Sequence, residues 1–128
     1  MSENARIPVL VFKKPQPITA YVEEFVSHAL EHTGDKPLDR WYAGITSNIN
    51  ERIKSHESKK HITCKYIKCM RCPSENFTRK VEKALEEEGF SIYTEDEKTA
   101  MKATMEGKSF STQPPKDKVY IYYGVPKK

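Results

Sequence analysis

Apolar positions change period several times along the chain, and each change marks an element. "IPVLVF", residues 7–12, is short, β-branched and apolar. It predicts a buried strand, which Pro15 and Pro17 keep from continuing. Ile18, Val22, Phe25, Val26, Ala29 and Leu30 then recur at helical spacing. They predict a helix capped by Thr19 and ended at Gly34. After the loop "TGDKPLD" comes the strand candidate "RWYAGI", turning at Gly44, and then a helix from about Asn48 to Ser58. Asn48 and Glu51 have the spacing of a capping pair, and Ile45, Ile49 and Ile53 line up as one apolar stripe.

"HITCKYIKCMR" alternates as a strand, with Ile62, Cys64 and Tyr66 on one face and Thr63, Lys65 and Ile67 on the other. In "CPSENFTRKVEKALEEEGF" the helix signals agree: Ser74 at the cap, Phe77, Val81, Ala84 and Leu85 as the buried stripe, Gly89 as the stop. Thr94 and Glu97 form a capping box ahead of Met101 and Met105 and predict a short helix. "KSFSTQPPKDK" is a loop, and "VYIYYGV" an edge strand with Val119, Ile121 and Tyr123 opposite Tyr120 and Tyr122.

Strands alternating with helices predict an α+β (mixed α/β) fold: a small, mostly antiparallel sheet of three to four strands flanked by helices. One domain accounts for residues 1–128, with a strand–helix unit at 7–33, a core at 41–90 and an extension at 91–128. No segment has the long apolar core of a secretory signal or a membrane span. Three cysteines, an odd number, argue against a secreted disulfide framework. The chain therefore reads as soluble and intracellular, cytoplasmic or nuclear. Its 22 Lys+Arg against 18 Asp+Glu leave a formal charge of +4, and basic residues crowd the middle third from Lys54 to Lys83. That clustering permits contact with a polyanion and equally describes a solvated face.

The stretch "WYAGITSNINERIKSH" carries the densest candidate chemistry. Arg52 and His56 are one helical turn apart and project from the same side, and Tyr42 lies on the strand that feeds their helix. A guanidinium offers a planar, permanently charged fork to phosphate oxygens, and an imidazole or phenol can move a proton. On the next helix Glu82 follows the core position Val81 and offers a carboxylate to a hard divalent cation. Each group alone is also an ordinary helix residue or core tyrosine.

Together, Tyr42-Ala43-Gly44-Ile45-Thr46-Ser47-Asn48 with Arg52 and His56 resembles the second half of the motif of the GIY-YIG nucleases. The helix bearing Glu82 is similar to that family's metal-binding helix, so the resemblance spans Trp41 to about Phe90. It implies a nuclease domain that hydrolyses DNA phosphodiester bonds with one Mg²⁺ or Mn²⁺. Glu82 would hold the metal, Arg52 would stabilise the phosphate, Tyr42 and His56 would handle the water, and Gly44 would be a structural part of the motif. The family's first strand, "GIY", has no counterpart before Trp41, and Val9 to Phe12 offers Phe12 where a phenol is wanted. Either Tyr21, Tyr120 or Tyr122 fills that place, or the chain is a weakened or inactive nucleic-acid-binding module on the same fold.

Two further patterns carry expectations. His61, Cys64, Cys69 and Cys72 have a zinc-like spacing, but a strand would turn Cys64 and Cys69 to opposite faces, which speaks against zinc. Lys54, Lys59 and Lys60, with Tyr120 and Tyr122, are candidate nucleic-acid contacts, the tyrosines by stacking on bases. With no second DNA-binding unit in view, specificity would come from a homodimer, a protein partner, or the helix and loops outside the motif.

Overall fold

In a computed structural model, residues 7–34, 37–92 and 115–127 are described. They form five strands and three helices: β1 Val9–Leu10, α1 Ile18–Thr33, β2 Trp41–Thr46, α2 Ile49–Lys60, β3 Ile62–Arg71, α3 Glu75–Glu88, β4 Ser91–Ile92 and β5 Lys118–Pro126. A single 3-10 turn, Leu38–Arg40, leads into β2. The α+β class holds, whereas the sheet differs from the expected one. It has five strands in the order β1-β3-β5-β2-β4. Its two inner pairings, β3 with β5 and β5 with β2, are antiparallel; the outer strands β1 and β4 pair in parallel. The sheet is therefore mixed. The capping-box helix expected after Thr94 lies outside the described residues.

β5 is the middle strand and not an edge. Strand alternation sends Val119 and Ile121 to one face and Tyr120 and Tyr122 to the other, and all four are buried. On the first face, Trp41, Ala43, Ile45, Val119 and Ile121 meet Phe25 and Ala29 of α1 and Val81 and Leu85 of α3. On the second, Tyr120, Tyr122, Cys64 and Cys69 meet Ile49 and Ile53 of α2. Two helices cover one face and one covers the other. Ile45 consequently does not share a stripe with Ile49 and Ile53, because the chain crosses from one layer to the other between them.

The caps explain where the helices begin. Asn48 and Ser74 accept the backbone N–H groups of Glu51 and Phe77, each such cap being worth about 1 kcal/mol. α1 begins after Pro17 without a side-chain cap, so Thr19 lies inside the helix and does not cap it. Gly34 and Gly89 end α1 and α3 at positive φ. "IPVLVF" contributes only two residues of edge strand, and Leu10 and Val11 are exposed. Among the described residues no helix is long and apolar enough to cross a membrane.

One irregularity rearranges β3. Tyr66 has φ 55°, and two residues lie between Lys65 and Lys68 where β5 has only Tyr122 between Tyr123 and Ile121. This bulge inserts one residue and inverts the alternation beyond it. Tyr66 thereby stacks on His32 of α1, at 4.4 Å between ring centroids, on the face opposite Cys64. Cys69 in turn joins Cys64 on the α2 face.

Candidate functional site

The turn between β2 and α2 is made by Thr46 and Asn48. The Asn48 N–H donates to Thr46 Oγ1 at 3.0 Å, and Asn48 Oδ1 accepts the Glu51 N–H at 3.2 Å. Gly44 is not at this turn; it stays in mid-strand opposite Tyr120. A Cβ at Gly44 would collide with the Tyr120 hydroxyl and come within 2.7 Å of its Cζ. Gly124 plays the same part for Tyr42, whose Cε1 would lie 3.3 Å from a Cβ there. Each of the two antiparallel strands thus yields a glycine to a tyrosine ring from the other.

A cluster of aromatic rings results on the α2 face. Tyr42 and Tyr122 are opposite in register and stack at 5.5 Å, and Tyr120 stacks on Tyr122 at 6.1 Å. His56 descends into this cluster from α2, 2% exposed, with Nδ1 2.7 Å from the Tyr122 hydroxyl. Burial, with Cys64, Tyr120 and Tyr42 nearby, raises the Tyr122 pKa, against which the Arg52 guanidinium pulls. The phenol stays protonated and can donate to Nδ1. Cys64 in the same cluster is a thiol pushed up to about 12 by burial and by Glu57.

The approach to the cluster is cationic. Lys60 Nζ sits 4.3 Å from the centroid of the Tyr42 ring, a cation–π contact. Arg52 is half-buried and lines a shallow hollow of about 220 Å³ with Thr46, Ser47, Asn48, Glu51 and Ser55 at the start of α2. Lys54 and Lys59 are exposed on the same helix.

Of the expected site residues, Tyr42, His56, Tyr120 and Tyr122 are brought into direct contact, with Arg52 within electrostatic reach of Tyr122. Glu82 is placed differently. It is half-buried on α3, whose Val81 and Leu85 pack on the face of the sheet opposite α2. Tyr120 and Tyr122, at 2% and 0% exposure, are interior rings and present no surface for a base to stack on. Phe12 and Tyr21 pack against each other at 4.8 Å in the α1–α3 layer, so neither reaches the cluster.

The four zinc-spaced residues do not assemble. Cys72 belongs to the α1–α3 layer, while Cys64 and Cys69 lie together on the α2 face, the reverse of the opposition expected between those two. Sequence reasoning missed the His56–Tyr122 hydrogen bond and the Lys60–Tyr42 contact. The alternation of Tyr120 and Tyr122 was the available signal for the first; the second had none. Comparison with family models, with curated proteins and with solved structures finds no match to this chain.

Proposed function

We propose that the chain is a GIY-YIG-type metal-dependent nuclease domain acting on DNA, with its first motif tyrosine carried by β5. The observation that carries this reading is the pairing of β5 with β2: antiparallel, Tyr122 opposite Tyr42 and Tyr120 opposite Gly44. A "GIY" strand joined to its "YIG" strand by a short hairpin would likewise run antiparallel to it, and β5 meets β2 in that sense from the far side of the sequence. Tyr120 follows Val119, so "VY" takes the place of "IY".

The residues divide by accessibility. Arg52 and Tyr42, both half-buried, reach substrate, the guanidinium forking onto phosphate oxygens and the phenol orienting the attacking water. His56 and Tyr122 are buried beneath them and act by positioning, since their hydrogen bond fixes the base of the cluster. Lys54, Lys59 and Lys60 follow the DNA backbone along α2. By the resemblance a divalent ion would fall to Glu82, but this single half-buried carboxylate sits on α3, across the sheet from Arg52 and Tyr42, and does not line the hollow that Arg52 does. When bound, such an ion supplies charge neutralisation and a more acidic water.

A second reading is favoured by one observation. α3 and α2 lie on opposite faces of the sheet, so Glu82 starts from the other layer. Without a carboxylate at the phosphate, the same surface binds nucleic acid and does not cut it.

Nicking of supercoiled plasmid with and without Mg²⁺ or Mn²⁺ tests both. Metal-dependent nicking that falls about 10²–10³-fold in Arg52→Ala and is lost in Glu82→Ala is the expected result. Undiminished nicking by Arg52→Ala overturns the site. Binding that weakens with salt, without cleavage, establishes the second reading.

A further inference from the structure

The last two turns of α1 carry His28, Glu31 and His32, outside the cluster described above. One ligand atom from each lies within 4.8 Å of the others. The histidines are four residues apart on one helix face, their ring centroids 4.5 Å apart. This is the spacing at which two imidazoles on a helix take one metal ion, with Glu31 adding a carboxylate oxygen.

Both rings are held from outside the helix. His28 Nε2 is 2.7 Å from the Tyr66 carbonyl oxygen, which can only accept, so Nε2 carries the proton and Nδ1 keeps the lone pair. A carbonyl behind a ligating histidine is the usual way of fixing its tautomer and plane. His32 stacks on the Tyr66 ring at 14° between planes. The β3 bulge, through the positive φ of Tyr66, aims one residue's carbonyl at His28 and its ring at His32. One residue thus orients both side chains, through its carbonyl and through its ring.

We infer that His28, Glu31 and His32 form a binding site for a divalent transition-metal ion of the zinc type. Imidazole nitrogens select Zn²⁺, Co²⁺, Ni²⁺ or Cu²⁺ over Mg²⁺. Three protein ligands leave a fourth position for water or for a group from a partner. The C-terminal end of a helix also favours positive charge, and the site lies there. The nearby Lys68 ammonium opposes a cation, but it pairs with Glu24 at 3.5 Å.

Zn²⁺ titrated into the chelator-treated full chain by calorimetry, with Co²⁺ visible absorption in parallel, tests the site. One equivalent should bind. His32→Ala, at an exposed position, should lose a direct ligand and bind more weakly by at least the ~10–100-fold that losing an outer partner costs. His28→Gln retains an N–H for the Tyr66 carbonyl while removing the ring, and should also lose the Co²⁺ bands. Absence of saturable binding, or binding unchanged in His32→Ala, overturns the inference.

Discussion

Gly44→Ala isolates the contact on which the β2–β5 site is built. Gly44 does not have a positive φ, so alanine meets no backbone strain. In such a position the substitution ordinarily stabilises by about 0.4–1 kcal/mol, through the unfolded chain. Here the new methyl would run into the Tyr120 hydroxyl, lie 2.7 Å from Cζ and 3.1 Å from Cε2. Tyr120 is 2% exposed, between Gly44 and Cys69 in register, so its ring has little room to yield. Overpacking of this kind costs about 1–3 kcal/mol, and contacts this close belong at the upper end. The net expectation is a loss of about 2 kcal/mol, or a fall in Tm of about 6–10 °C for a chain of this size. Chemical denaturation of Gly44→Ala, Tyr120→Leu and the double variant measures it. In the Tyr120→Leu background, which lacks the hydroxyl and Cζ, the alanine should cost about 1–2 kcal/mol less. A neutral or stabilising Gly44→Ala, or no coupling with Tyr120, would refute the argument that the tyrosine ring dictates the glycine.

Two further outcomes follow from the hydrogen bonds. Tyr122→Phe removes the hydroxyl that His56 Nδ1 meets at 2.7 Å and should cost about 1–3 kcal/mol, seen as a lower urea midpoint at unchanged slope. Glu75 has its pKa lowered, first by the Lys116 N–H at 3.0 Å and also by Arg79, against the cost of its burial. A depressed carboxylate contributes stability above its unfolded pKa and loses it as pH falls through the folded value. The difference in denaturation midpoint between wild type and Glu75→Gln should therefore be full at pH 7 and shrink below about pH 4.5; a pH-independent difference contradicts the assignment.

What the sequence disclosed was local. Asn48, Ser74, Gly34 and Gly89 punctuate helices because caps and left-handed stops act within a few residues, and the structure places them as expected. The faces of β5 were legible from alternation. Its place in the sheet was not, because pairing order is decided by which strands complete one another's ladders, here between residues 47 or more apart. Nor was the bulge, since a tyrosine at positive φ leaves no compositional mark, and it alone moves Tyr66 and Cys69 to faces that strict alternation denies them. Ile45 falls out of the Ile49–Ile53 stripe because it lies at the junction of two periods, where the last apolar strand position and the first helical one are both isoleucine. The Arg52–His56 turn was legible as a one-turn spacing; the depth of His56 was not, because the tyrosines that enclose it come from β5.

The central position of β5 also orders events during synthesis. β2 and β3 are made first, yet neither pairs with the other, and among the described residues the antiparallel partner of each is Lys118–Pro126. Until that segment leaves the ribosome, two strands with apolar faces stand with open ladders. Such edges recruit other chains, so this is a nascent polypeptide with a long window for chaperone engagement and for misassociation. The window closes when β5 inserts between the other two.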